Sequence, residues 1–146
     1  MLVVYFFIWL FFLYIIHRIV HVCPYLKEIH WDHHQYISNF TGNNWHWTNL
    51  LLINDNWKST LDLWITEVIP TIIFCFAIGN WYIFWFYYFW AAVIQEIIEH
   101  NPQIDFYPFL TSGKWHLIHH ENPHKNFGLF LPIIDIILGT NVKKNF

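Results

Sequence analysis

Three long apolar stretches leave few folds open to this chain of 146 residues, because each could form most of a membrane helix. They cover residues 2–16, 61–78 and 81–98. A helix needs about 20 residues to cross the hydrocarbon layer, so the first helix must extend beyond its apolar run to span it. Gly79 and Asn80 separate the other two stretches and predict a tight turn between antiparallel helices. We therefore predict an all-α, polytopic membrane helical bundle with about three membrane segments.

The composition supports a membrane location and excludes several other classes of protein. Of all residues, 56% are hydrophobic and only 12% are charged, about half the usual charged share. This balance excludes intrinsic disorder, and a net charge of −3 provides no basic stripe for nucleic acid. The first apolar stretch has no basic residue before it and no cleavage site after it, so we expect a retained anchor. The length suits one domain, and we expect residues 1–146 to form a single membrane-embedded unit.

The basic residues indicate which side of the membrane carries the polar segments. All seven lysines and arginines lie within residues 17–60 or 99–146, and the turn at residues 79–80 has none. A hairpin returns the chain to the side from which it entered, so these two segments share one side. By the positive-inside rule that side is cytoplasmic. We predict an integral membrane protein with a cytosolic histidine-rich helical cap, in the endoplasmic reticulum of a eukaryote or the inner membrane of a bacterium.

Nine of the eleven histidines occur in patterned groups on this predicted cytoplasmic side. Residues 17–21 read H-x3-H, residues 30–34 and 116–120 both read H-x2-H-H, and one more histidine follows the hairpin. Spacings of three and four residues place imidazoles at neighbouring positions on one helix face, close enough to share a metal ion. We predict that these nine are metal ligands: His17, His21, His30, His33, His34, His100, His116, His119 and His120.

Two histidines and several carboxylates are not included among these ligands. His46 stands alone in a Trp-rich connection and is expected to be an ordinary polar residue, whereas His124 is expected at the surface or beside the ligands. A metal-bound histidine usually donates its second N–H to a carboxylate or carbonyl oxygen. Acidic residues lie between the groups and could accept such bonds, or they could be ordinary solvated charges: Glu28, Asp32, Glu99, Asp105, Glu121 and Asp135.

The number of histidines indicates two metal ions rather than one. Imidazole suits zinc, copper, iron and nickel. A structural zinc site closes with four ligands and would leave many of these histidines unused. A haem needs only one or two axial histidines at membrane depth, and these groups flank the apolar stretches instead. A dinuclear iron site that keeps open positions for O₂ therefore fits the number of imidazoles best.

The order of the histidine groups resembles that of the fatty acid hydroxylase/sterol desaturase superfamily of integral-membrane di-iron oxygenases. Three blocks of that superfamily are matched by residues 17–34, by residues 99–108 and by residues 116–140. The blocks cover roughly half of the chain and are specific as a set, since a single H-x2-H-H motif would be weak. From this match we predict five residues that could support the metal ligands without binding the metal themselves: Asn101, Asp105, His124, Asn126 and Asp135.

The resemblance implies two iron ions as cofactors, O₂ as co-substrate and no catalytic groups beyond the metal ligands. It implies hydroxylation or desaturation of an unactivated C–H bond in a lipid such as a fatty acyl chain or a sterol. The chain has no Gly-rich dinucleotide motif and no fused haem domain, so electrons are expected from an external cytochrome b5-like or ferredoxin-like protein. The chain has fewer apolar segments than most relatives, which leaves a homodimer open.

Two other functions fit parts of the pattern. A non-catalytic membrane protein that binds zinc or senses iron would use similar ligand spacing, and metal content together with O₂ consumption would separate it from an oxygenase. A haem-bearing electron carrier is the third alternative, and it would show a Soret absorbance band.

Overall fold

The described part of the chain is helical, as the apolar stretches predict. In a computed structural model, residues 1–37, 45–54 and 56–142 are described, and they contain no β-strand. Residues 1–54 contain α1 (Leu2–Val22), α2 (Pro24–Ile37) and a 3₁₀ helix at Trp47–Leu51. Residues 56–142 contain α3 (Trp57–Ile78), α4 (Tyr82–Ile98), α5 (Lys114–Glu121) and α6 (Ile133–Leu138). The all-α class is therefore confirmed.

The first helix ends where the sequence reaches a proline. Cys23 has an extended backbone (φ −78°, ψ 116°), and Pro24 begins α2. A residue before proline avoids the helical conformation, and proline is tolerated at the first helical position because the N–H there has no helical partner. The corner turns α2 back along α1, so that the Nε2 atoms of His21 and His30 lie 3.1 Å apart.

Helices α3 and α4 form the predicted hairpin. Gly79 adopts the left-handed conformation (φ 64°) directly after α3, a conformation that glycine takes without the steric cost of a Cβ. The backbone N–H groups of Gly79 and Asn80 donate to the carbonyl oxygens of Phe76 (3.3 Å) and Cys75 (3.2 Å). These bonds satisfy carbonyl groups at the end of α3 while the chain reverses direction.

Both helices of the hairpin contain a stretch of π-helix. The stretches are Trp64–Val68 in α3 and Trp90–Gln95 in α4. In α3 the wider turn lies just before Pro70, which has no N–H to donate and whose ring would crowd the carbonyl four residues earlier. The two stretches face each other, since Gln95 Nε2 donates a hydrogen bond to Glu67 Oε1 (3.2 Å). A buried polar contact therefore joins the two helices.

Two of the described helices could cross a membrane. By length and composition, α1 and α3 are long and apolar enough, with mean hydropathies of 2.1 and 1.8. Helix α4 is apolar but shorter. The number of about three membrane segments therefore stays a prediction, as do the cytosolic cap and its cytoplasmic side.

The core of the bundle is largely aromatic. Trp9 of α1 is fully buried, and its ring centre lies 5.0 Å from that of Phe130 and 6.2 Å from that of Tyr87. Its indole N–H donates to the hydroxyl of Thr71 on α3 (2.9 Å). Trp9 therefore joins α1 to α3, to α4 and to the C-terminal segment.

The C-terminal segment packs against α1 close to the first histidine of the sequence. The fully buried Asp135 carboxylate accepts hydrogen bonds from the backbone N–H of Phe127 (2.9 Å) and Gly128 (2.7 Å) and from the Thr140 hydroxyl (2.7 Å). The Thr140 hydroxyl also lies 2.8 Å from the Tyr14 hydroxyl on α1. A Cβ at residue 128 would lie 2.9 Å from the Asp135 carboxylate, so glycine is needed for this close approach.

Candidate metal centre

The nine predicted ligands come together from four parts of the chain. Eight of them fall into two groups, within each of which the ligand nitrogens lie no more than 4.8 Å from one another. The first histidine group consists of His17, His21, His30 and His119. The second histidine group consists of His33, His100, His116 and His120. The groups are adjacent, since the ring centres of His116 and His119 are 5.8 Å apart.

Four of the six nitrogen–nitrogen distances in the first histidine group match those around a four-coordinate ion. His21 Nε2 lies 3.3 Å from His17 Nε2 and 3.1 Å from the Nε2 atoms of both His30 and His119. The Nε2 atoms of His17 and His30 are 3.2 Å apart. Four metal–nitrogen bonds of about 2.0–2.1 Å in a tetrahedron place the nitrogens roughly 3.3 Å apart. These residues therefore fit a metal ion.

Backbone oxygens hold the outer nitrogen of two histidines in this group. His17 Nδ1 donates to the Phe127 carbonyl (2.8 Å), and His119 Nδ1 donates to the Lys125 carbonyl (2.7 Å). A carbonyl oxygen can only accept a hydrogen bond, so Nδ1 carries the proton in both rings. Nε2 then presents its lone pair to the centre of the group, which is the arrangement of metal-bound histidine.

Asp62 holds a third histidine of the first group, and it is not among the site residues predicted from the sequence. Its two carboxylate oxygens lie 2.9 and 3.0 Å from His30 Nδ1. Asp62 stands near the start of the apolar stretch at residues 61–78. A carboxylate in such a stretch usually faces the protein interior, and this was the signal that could have identified it.

The second histidine group also converges. The Nε2 atoms of His116 and His120 are 2.9 Å apart, and the ring centre of His33 lies 5.0 Å from that of His120. Glu99 Oε1 lies 3.9 Å from His116 Nδ1, which is too far for a hydrogen bond. In the described part of the chain, His120 Nδ1 is buried without a hydrogen-bond partner.

His34 lies between the two groups. Its Nε2 atom is 3.0 Å from His30 Nε2, and its ring stacks on that of His120 with the centres 4.3 Å apart. On the outer side it stacks against Trp31, with an angle of 8° between the ring planes. It belongs to neither set of four nitrogens, so its role as a ligand stays a prediction.

Burial keeps the histidines outside α1 in their neutral form. Loss of hydration lowers the pKa of His34 to about 4 and that of His100 to about 3, from an ordinary value of 6.5. Burial, with a further contribution from neighbouring imidazoles, also lowers the pKa of His30, His33, His116, His119 and His120. Metals bind the neutral imidazole. The rings are therefore ready to bind an ion at neutral pH.

Two of the predicted supporting residues, Asn126 and Asp135, stabilise the loop whose backbone binds His17. Asn126 is fully buried, and its Nδ2 donates to the carbonyl oxygens of Trp115 (3.3 Å) and Val142 (3.0 Å). Asp135 accepts hydrogen bonds from the backbone N–H groups of residues 127 and 128. Together they position the carbonyl of residue 127 that accepts from His17. Their effect on the ligands is exerted through the backbone.

The other candidates lie outside the two groups. The side chains of Asn101 and Asp105 accept hydrogen bonds from the backbone N–H two residues further on (2.9 and 3.2 Å), within the connection between α4 and α5. His124 is exposed and lines an open groove of about 450 Å³ that reaches His21. His46 Nδ1 lies 3.0 Å from a threonine hydroxyl at the start of the 3₁₀ helix. Roles for the first three beside the ligands stay predictions.

A polar cavity lies between the histidines and the hairpin. It has a volume of about 30 Å³, and its lining includes Asp62, Glu67, Gln95 and Glu99. A volume of this size holds about two water molecules. The arrangement therefore leaves room beside the ligands for a small molecule such as water or O₂.

An all-helical fold with clustered buried histidines at the end of apolar helices is typical of a membrane-associated metal protein. The model of the fatty acid hydroxylase family matches residues 2–140. The chain therefore belongs to the fatty acid hydroxylase family, and the resemblance noted in the sequence is confirmed. This family is membrane-associated, generally consists of lipid-hydroxylase-type oxidoreductases and typically depends on iron. No solved structure matches the chain.

Proposed function

We propose that this protein is a membrane di-iron oxygenase that hydroxylates, or desaturates, an unactivated C–H bond of a lipid such as a fatty acyl chain or a sterol. The observation that carries the proposal is the pair of adjacent four-histidine groups at the end of apolar helices. Membership of the fatty acid hydroxylase family supports the same class of reaction. The reaction would use O₂ and electrons from an external donor.

Each histidine group would hold one iron ion, and His34 lies where it could complete either site. When bound, the irons would supply the activation of O₂ and the removal of a hydrogen atom from the lipid. Imidazole nitrogen is a suitable ligand for iron. The chain itself provides neutral rings with defined orientations.

Phe127 supports the proposal because it both shields and orients the first histidine group. Its ring centre lies between 5.5 and 5.9 Å from those of His17, His21 and His119. Its carbonyl oxygen accepts the hydrogen bond from His17 Nδ1. The ring covers one side of the group and limits the access of water from that side, which would help to protect a reactive centre from side reactions.

A non-catalytic zinc protein is the second candidate function, and one observation favours it. Four of the six nitrogen–nitrogen distances in the first group lie at 3.1–3.3 Å and suit a closed tetrahedral shell, which is typical of structural zinc. A closed shell would leave no position for O₂. A second ligand group beside the first is what a dinuclear centre requires and a lone structural zinc does not.

The metal content of the full chain, purified in detergent, tests the proposal. We expect about two irons per chain, one for each four-ligand group. The double variant His119→Ala, His120→Ala removes one ligand from each group and should lose metal. His46→Ala is the matched control, because His46 is exposed and belongs to neither group. One zinc per chain, or a metal content that the double variant leaves unchanged, would contradict the proposal.

A substrate screen then tests the reaction class. Iron-loaded protein is incubated with O₂, a chemical reductant and either fatty acyl lipids or sterols, and products are detected by mass spectrometry. We expect an added oxygen atom or a loss of two hydrogen atoms that depends on both O₂ and reductant. Iron-loaded protein that consumes no O₂ with any of these lipids would favour the non-catalytic alternative.

The predicted partners form part of the same proposal. We infer a lipid substrate held in the membrane and a cytochrome b5-like or ferredoxin-like donor that approaches the histidines from the cytoplasm. A homodimer would add the helices of a second chain around the substrate. Light scattering of the detergent-purified protein measures the number of chains per particle.

A further inference from the structure

The two histidine groups differ in the hydrogen-bond partners of the ring nitrogens that face away from the centre of each group. In the first group, three Nδ1 atoms have an oxygen partner at 2.7–3.0 Å. In the second group, the described contacts of two members are weaker. His116 Nδ1 is 3.9 Å from Glu99 Oε1, and His120 Nδ1 is buried without a partner. The rings of His17, His30 and His119 are therefore held more rigidly than those of His116 and His120.

Of the three oxygen partners in the first group, Asp62 alone is a side chain. It lies on α3, 32 residues from His30 in the sequence, and is only 5% exposed. Both of its oxygens face the same His30 nitrogen. The other two partners are backbone carbonyls of residues 125 and 127, which no substitution removes. Asp62 thus joins α3, a candidate membrane helix, to the histidine cluster, and it is the one of the three partners that mutation can test.

We propose that Asp62 is a positioning residue for the first histidine group, and that this group binds a metal ion more tightly than the second group does. By accepting from His30 Nδ1, Asp62 keeps the proton on that nitrogen and aims Nε2 at the Nε2 atoms of His17 and His21. A ligand that is oriented before the ion arrives loses less freedom on binding. The inference rests on the proposed function only in requiring that both groups bind metal.

Titration of the metal-free full chain with Co²⁺ in detergent tests this inference, because the visible absorbance of Co²⁺ reports four-coordinate sites. For the wild-type chain we expect two binding phases of unequal affinity. Asp62→Leu removes the acceptor at similar size and should weaken the tight phase by about 10–100-fold, while the weak phase stays unchanged. Asp62→Asn keeps an acceptor oxygen and should weaken the tight phase less than Asp62→Leu does.

Two further variants serve as controls. Asp32→Asn removes a carboxylate charge from α2, where Asp32 pairs with Lys58 (3.0 Å), and should leave both phases unchanged. His116→Ala removes a ligand of the second group and should abolish only the weak phase. Far-UV circular dichroism checks that each variant is folded.

Equal affinity for the two ions in the wild type, or a tight phase that Asp62→Leu leaves unchanged, would overturn the inference. If Asp62→Leu does not fold, a tight phase unchanged in Asp62→Asn overturns it. A chain that binds two ions unequally but oxidises no lipid would contradict the proposed function alone. An active oxygenase with two equal sites would contradict this inference alone.

Discussion

A buried histidine can bind a metal only when its ring is neutral and its free nitrogen points at the ion. Burial provides the first condition here by lowering the pKa of His34 and His100 far below the ordinary value. Hydrogen bonds at Nδ1 provide the second condition for His17 and His119. Both conditions are set by the neighbours of the ring, so a histidine motif alone is not a sufficient sign of a metal site.

The metal-free chain should lose stability as the pH falls from 6.5 towards 4, because the pKa of His34 is lowered to about 4 by folding. In this range the unfolded chain binds a proton that the folded chain does not, so stability falls with the pH. For His34 alone the loss is on the order of 3 kcal/mol. Thermal unfolding of chelator-treated protein between pH 7 and pH 4 measures it. His34→Gln should show a shallower pH dependence, and an unchanged slope would contradict the explanation.

Asp135→Ala should destabilise the chain far more than Asp105→Ala. Asp135 accepts three hydrogen bonds in a fully buried position, and its removal leaves the backbone N–H groups of Phe127 and Gly128 without partners. Each buried unsatisfied donor costs about 1–3 kcal/mol. Asp105 is exposed and its side chain accepts one described bond from the backbone. Thermal unfolding compares the two variants, and equal effects would show that the loop does not depend on Asp135.

At the scale of helices, buried polar contacts fix the positions of the apolar helices relative to one another. Apolar packing alone allows helices to slide, whereas a buried donor must meet its acceptor. The Trp9–Thr71 bond relates α1 to α3, and the Gln95–Glu67 bond relates α4 to α3 at their π-helical stretches. The height at which α3 presents Asp62 to His30 depends on this registration.

Thr71→Val tests the registration of α1 against α3. The substitution keeps the shape of the side chain but leaves the buried indole N–H of Trp9 without its acceptor, at a cost of about 1–3 kcal/mol. Thr48→Val is the control, because the Thr48 hydroxyl contacts His46 at the surface. We expect a lower melting temperature for Thr71→Val only, measured in the same detergent. Equal melting temperatures would mean that packing alone sets the contact.

At the scale of the whole molecule, distant parts of the chain close around one centre. The hydroxyl oxygens of Tyr14 and Thr140 lie 2.8 Å apart, although the two residues are 126 positions apart in the sequence. The ligands come from α1, α2, the end of the hairpin and α5, so the centre forms only when all four are assembled. Loss of metal should therefore loosen the whole fold rather than one helix.

The predicted orientation can be tested with single cysteines in a chain lacking Cys23 and Cys75. Asn80→Cys lies at the tip of the hairpin, and Glu121→Cys lies at the exposed end of α5. If the hairpin crosses the membrane twice, an impermeant maleimide added to intact cells or sealed vesicles should label these two positions from opposite sides. We expect Glu121→Cys on the cytoplasmic side. Labelling of both positions from one side would contradict the predicted topology.

Sequence spacing predicted which histidines meet but not how they divide between two groups. Residues four apart are rotated by about 40° around a helix, and residues three apart by about 60° in the opposite sense. Accordingly His17 and His21 stay in one group, whereas His30 and His33 of one motif belong to different groups. The second H-x2-H-H motif is also divided between the groups. His119 belongs to the first group, whereas His116 and His120 belong to the second.

The sequence by itself determined the helical class and the hairpin at Gly79, and it indicated the histidines that come together, because these depend on local hydrophobicity, turn chemistry and helical period. Only the tertiary structure decided that Asp62 contacts His30 and that the carbonyl of Phe127 contacts His17. These contacts join residues 32 and 110 positions apart in the sequence. No local pattern encodes such a distance, because it results from how α1, α2 and α3 pack.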